Sequence, residues 1–229
     1  PTQLKELHYT YQNLTARDGN TNITFYGDSS GGNLAISYTQ YLKELVAENT
    51  LIDPIYPRNL ALISPWVRLI PEINQFVPGK SYYDNDSFDY IRFKYFMDAP
   101  LLTHLIGRSN LHSLTVSPNS KQPQDEVDWE NIPSYSDENS AVLVICGEDE
   151  VFRDDVMEFG NYALGCDLNE RVVYGNSKNV YDPQIHSYIR KASPGKAAVE
   201  LYMEPWGVHD AVFFFENHLL RNILGRKSR

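Results

Sequence analysis

The chain has 229 residues, 42% of them hydrophobic and 13% aromatic, and a formal net charge of −10. That length supports one sizeable core or at most two small ones, and so many aromatics argue against disorder. An acidic surface repels phosphate backbones and argues against nucleic acid as a partner, and no run of about 18 apolar residues marks a membrane span.

No signal-peptide pattern occurs. The sequence opens Pro-Thr-Gln without an initiator Met, so a cut start that hides any targeting segment is expected. Cys146 and Cys166 do not make a disulfide framework, and Cys146, closing an apolar run, reads as a small packed hydrophobe. Sequons at Asn13, Asn22 and Asn85 permit a secretory setting.

In chain order, Leu4, Leu7, His8, Tyr11 and Leu14 recur at helical spacing before the turn Asp18-Gly19-Asn20. Ile23 to Tyr26 predicts a short buried strand. Leu34, Ala35, Tyr38, Leu42 and Leu45 line one face of the next helix, and a second strand, Leu60 to Ser64, stops at Pro65. Residues 66–140 are mixed, with helical patches near 90–106 and an exposed loop at "SPNSKQPQDEVD". Ala141 to Cys146 predicts a strand covered on both faces, followed by a helix from about Asp154 to Leu164. Val199, Leu201 and Met203 alternate as a fourth strand, and 210–224 predicts a closing helix. Strands separated by helices predict an α/β fold with a parallel sheet and flanking helices, whose chemistry gathers at the carboxyl ends of the strands.

One strand-to-helix corner carries the sharpest signal, "ITFYGDSSGGNLAIS" at 23–37. A strand that turns at once into a helix forces a strained corner. Gly27 and Gly31, either side of Ser29, remove side chains that would collide there. The Ser29 hydroxyl then stands clear as a nucleophile, and the Ser30 N–H, at the positive end of the helix, points where an ester oxyanion would form.

A serine nucleophile needs a base, and the base a carboxylate. Of six histidines only His209, in "EPWGVHDA", follows directly on a strand end. His8 and His218 fall within helical patterns, and His104, His112 and His186 have no strand before them. "VLVICGEDEVFRDD" offers Glu148, Asp149, Glu150, Asp154 and Asp155. Asp154 and Asp155 suit the start of the next helix, whereas spacing does not separate Asp149 from Glu150.

"GDSSGGNLA" resembles the Gly-Asp-Ser-Ala-Gly-Gly signature of the hormone-sensitive-lipase-like branch of the α/β-hydrolases. The likeness continues through "SPW" (64–66), "VSP", "DWENIP", "GEDEVFRDD" and "GVHDA". The wording is most similar to fungal steryl acetyl hydrolases. The resemblance implies a serine esterase for short acyl esters of an apolar alcohol, sterols among them, with Ser29 as nucleophile and His209 as base. It sets the acid four positions before the Asp of Arg153-Asp154, which is Glu150, with Asp149 as the fallback. It implies no cofactor or metal, a small hydrophobic ester as partner, and an endoplasmic-reticulum or secretory setting.

Two departures stand out. The 59 positions from Glu150 to His209 exceed one helix and one strand, so 167–197 reads as an insertion, either a lid or simply a surface loop, with the loop preferred. Relatives also carry an N-terminal half with a cap, the first four strands and a His-Gly-Gly-Gly oxyanion loop, none of which occurs here. The expectation is a single partial α/β-hydrolase domain over 1–229, irregular or inserted at 66–140 and 167–197. Its activity would be impaired, residues 23–27 would form an apolar sheet edge, and any membrane association would lie in the absent segment. The alternatives are a truncated non-catalytic remnant, a binding module, or a peptidase on the same fold.

Overall fold

The computed structural model describes residues 2–94, 103–104, 106–107, 110–119, 125–168 and 181–214. In chain order the main elements are α1 (Thr2–Gln12), β1 (Thr24–Asp28), α2 (Ser29–Ala47), β2 (Asn59–Ile63), α3 (Ser81–Asp84), α4 (Pro133–Ser136), β3 (Ala141–Gly147), α5 (Arg153–Tyr162), α6 (Pro183–His186), β4 (Ser187–Arg190), β5 (Ala198–Glu204) and α7 (Ala211–Phe214). The five strands form one sheet in the order β1-β2-β3-β5-β4. The first four are parallel, and β4 joins β5 antiparallel.

Alternation along the strands sorts the core. Leu60 and Leu62, Val142 and Val144, and Val199 and Leu201 share one face with Ala35 and Ile36 of α2 and Val156 and Phe159 of α5. Ile63, Ile145 and Tyr202 gather with Val212 on the other. The apolar stripe of α2 also seats α1, through Leu4, Tyr11, Tyr38 and Leu42. Asn49, at φ 54, ends α2 in the left-handed conformation that asparagine tolerates.

Three expectations need correcting. The 167–197 segment is not simply a surface loop, because α6 and the edge strand β4 lie in it, with Tyr188 in register with Leu201. A four-residue strand after a one-turn helix is too short to show a period, and 169–180 lie outside the described residues. The start of "SPNSKQPQDEVD" is buried rather than exposed: Ser117 Oγ accepts the Leu69 N–H and Asn119 N–H donates to the Val67 carbonyl. The Asn85 sequon is buried too, its side-chain amide donating to the carbonyls of Glu148 and Glu150. Much of the helical patch at 90–106, residues 120–124 of that loop, and the closing helix beyond Phe214 fall outside the described residues. No helix among the described residues is long and apolar enough to cross a membrane.

Candidate active site

Three strand ends meet at one place. β1 turns into α2 at Ser29, whose φ of 50 is the strained left-handed conformation that a sharp strand-to-helix corner requires. A Cβ on Gly27 would stand 2.5 Å from the Gly31 carbonyl, and one on Gly32 would stand 2.8 Å from Pro65 Cβ. Gly31 has nothing nearer than 3.8 Å. The close packing therefore falls on Gly27 and Gly32, not Gly27 and Gly31, because the second helical glycine faces the exit of β2. That exit holds the elbow from below. Trp66 N–H donates to the Ser29 carbonyl at 2.9 Å, and Asn33 Nδ2 donates to the Trp66 carbonyl at 2.8 Å. Ser30 is exposed one residue into α2, where a helix has no internal acceptor for its N–H.

His209, in the turn after β5, brings Nε2 to 2.9 Å from Ser29 Oγ. Its ring is 2% exposed and sits edge-on against Phe152 at 5.0 Å and Tyr90 at 5.8 Å. Burial pulls the imidazole down to a pKa of about 4, partly offset by Asp28, so the ring is neutral and able to accept a proton from Ser29. Its Nδ1 is buried with no hydrogen-bond partner.

Glu150 lies in the turn after β3 and is fully buried. Its Oε2 accepts from Ser64 Oγ at 2.6 Å and from the Gly147 N–H at 2.9 Å. Its Oε1, like His209 Nδ1, is buried without a partner. Burial raises the Glu150 pKa to about 8; the bonds from Ser64 and Gly147 oppose that rise, and Asp89 and Asp210 add to it. Asp149 is half-buried, its carboxyl raised by burial, and no hydrogen bond joins its carboxylate to His209.

Three further groups at the site were not singled out from the sequence. Ser64, at φ 42 on the end of β2, bridges two turns: its hydroxyl donates to Glu150 and accepts the Asp210 N–H at 3.1 Å. Asp210 Oδ2 lies 3.3 Å from His209 Nε2, and burial, with Asp28 and Asp89, raises its pKa to about 7. Asp89 touches the turns after both β3 and β5. Only "SPW" hinted at Ser64, and Asp89 sits in a stretch without a period.

The remaining candidates lie elsewhere. His8 bonds to the Tyr38 hydroxyl, His104 and His112 are exposed, His186 is buried 3.6 Å from Glu148, and His218 is outside the described residues. Asp154 and Asp155 start α5; Asp155 accepts from Arg68, Tyr82 and Gln75. Both cysteines are buried. No cluster able to hold a metal ion occurs among the described residues.

A parallel sheet with a serine elbow after one strand and a histidine after the last parallel one defines an α/β-hydrolase. Solved structures share that fold. An esterase of the bacterial hormone-sensitive lipase family superposes with a TM-score of 0.58 at 17% identity, over 91% of this chain and 52% of its own. The thermostable carboxylesterase EstE1, cloned from a metagenomic library, gives 0.54 at 17% identity, over 99% and 58%. The profile of the steryl acetyl hydrolases matches residues 1–212, and the chain belongs to that family. A Schizosaccharomyces pombe protein, mug81, whose name assigns it provisionally to the steryl acetyl hydrolases, is 34% identical over 159 residues. That match takes in 69% of this chain and 39% of mug81, so the chain spans well under two thirds of the relatives' length.

Proposed function

We propose that the chain is the catalytic part of a serine carboxylic ester hydrolase acting on short acyl, above all acetyl, esters of an apolar alcohol such as a sterol. The 2.9 Å approach of His209 Nε2 to Ser29 Oγ carries this reading. Ser29 attacks the acyl carbonyl while His209 takes its proton. The oxyanion forms against the Ser30 N–H at the positive end of a 19-residue helix. His209 then protonates the leaving alkoxide, and water, deprotonated by the same imidazole, releases the acid.

Glu150 is the group that orients His209. Its Oε1 and His209 Nδ1 are a complementary acceptor and donor, each buried with no hydrogen-bond partner, so a bond between them would satisfy both. An ionised Glu150 accepts from Nδ1–H and leaves Nε2 bare toward Ser29. A protonated Glu150 donates to Nδ1 instead and puts the ring proton on Nε2, the wrong tautomer for a base. The acetyl and steryl preferences rest on the family.

A fluorophosphonate probe tests the reading. The expected result is labelling at Ser29 that disappears in Ser29→Ala, with turnover of p-nitrophenyl acetate lost in the same variant and far faster than that of an aminoacyl amide. No labelling of the folded chain overturns it in favour of a non-catalytic protein.

A further inference from the structure

The segment at 81–93, which the sequence shows only as a Tyr- and Asp-rich stretch, ties the two turns that carry Glu150 and His209. We infer that Asp89 is a positioning residue for the proposed esterase, its carboxylate a strap that sets the acid turn and the histidine turn in one register.

Asp89 is fully buried. Its Oδ2 accepts the N–H of Val151, next to Glu150, at 2.8 Å, and its Oδ1 accepts the N–H of His209 itself at 3.3 Å and of Ile91 at 3.3 Å. These bonds join positions 62 and 120 residues apart in the chain. Burial raises the Asp89 carboxyl above the usual aspartate range, and the N–H donors facing both oxygens oppose that rise by favouring the ionised form. The segment holds the acid turn at further points: Asn85 Nδ2 donates to the carbonyls of Glu148 and Glu150, and Ser81 Oγ to that of Val151. Next to Asp89, Tyr90 lays its ring against His209. One carboxylate thus fixes the backbone under the base and beside the acid, in addition to the direct bonds from Asp149 N–H to Gly207 O and Glu148 N–H to Glu204 O, so losing it loosens the register of the two turns without parting them.

The strap also acts through charge. Glu150 is faced by the Ser64 hydroxyl and the Gly147 N–H, which favour its ionised form, and by Asp89 and Asp210, which oppose it. Removing the Asp89 charge therefore moves Glu150 down while loosening its turn.

This inference rests on the proposed function, and one set of measurements separates the two. Asp89→Asn keeps the size but offers an amide donor to one of the two N–H groups. The expected result is a folded protein by circular dichroism with kcat for p-nitrophenyl acetate down roughly 10²-fold. KM stays within about twofold and the acid limb of kcat/KM moves to lower pH. Asp89→Ser, which leaves space for a water, serves where Asn does not fold. A folded variant with kcat within about twofold of wild type and an unmoved limb overturns the strap. So does a loss of activity that only tracks the fraction of Ser29 labelled by fluorophosphonate, or failure of both variants to fold, since Asp89 is then needed only for structure. Wild type that takes no label sinks the esterase reading, and the strap with it; labelled wild type with an unmoved limb sinks the strap alone.

Discussion

Gly147 and Gly207 touch backbone to backbone: a Cβ on Gly147 would stand 2.1 Å from the Gly207 carbonyl oxygen. The acid turn and the histidine turn meet at this contact, reinforced by Asp149 N–H donating to Gly207 O at 2.8 Å and Glu148 N–H to Glu204 O at 2.9 Å. The atom in the way is main chain, with no rotamer to relieve the overlap. Gly147→Ala is therefore expected to destabilise the fold by about 3 kcal/mol. Its kcat should fall roughly 10²-fold through displacement of Glu150. Thermal unfolding and p-nitrophenyl acetate kinetics check both numbers, and a variant with wild-type values shows that the turns need no such proximity.

The elbow glycines should separate by the space around them. Gly32→Ala drives a methyl group into Pro65, and Gly27→Ala drives one into the Gly31 backbone, so both should lower Tm. Gly31→Ala meets only Asp28 Oδ1 at 3.8 Å and replaces a flexible helical residue. It should leave Tm unchanged or raise it, by up to about 1 kcal/mol in stability. Equal losses at positions 31 and 32 would contradict this packing.

Ser64 supplies a prediction in pH. Its hydroxyl bond favours the ionised form of Glu150, whose pKa burial has raised to about 8. Because His209 needs an ionised partner to present a bare Nε2, kcat/KM should climb with pH and level off above about 8. Ser64→Ala removes a bond that lowers the Glu150 pKa, so its acid limb should move to higher pH, opposite to Asp89→Asn. The unsatisfied Asp210 N–H left behind should cost about 1–3 kcal/mol of stability. A limb that stays fixed in Ser64→Ala removes Glu150 as the group that limits the rate at low pH.

What the sequence makes legible is what the chain writes locally. The elbow lies within a few consecutive residues, so strand, corner and helix can be read together, and Ser29 with them. The turn after β5 is found by its strand, which makes His209 stand out among six histidines. The ties between turns are different in kind. Ser64 reaches Glu150 across 86 positions, and Asp89 reaches His209 across 120, from a segment with no apolar period to fix its place. Such contacts leave no spacing signal. The same holds for β4, too short to alternate visibly, and for Asn85, whose sequon marks a surface that the fold buries.

Glu150 should set function against stability. Its pKa is about 4.5 in the unfolded chain and about 8 in the folded one. A carboxyl raised on folding binds its proton more tightly in the native state. Its contribution is therefore fully present below pH 4.5 and is lost as pH rises toward 8. In Glu150→Gln the side chain no longer titrates, while the amide oxygen can still accept from Ser64 and Gly147. The variant's stability relative to wild type should thus grow between about pH 5 and pH 8 and then level off, reaching on the order of a few kcal/mol. Its activity should fall by up to about 10⁴-fold, because an amide that donates to Nδ1 holds His209 in the wrong tautomer. Thermal unfolding at pH 5 and pH 8, beside esterase kinetics, reads both effects. A variant no more stable relative to wild type at pH 8 than at pH 5 would mean that the Glu150 carboxyl does not carry a raised pKa in the fold, and that the charge it presents to His209 is already present at low pH.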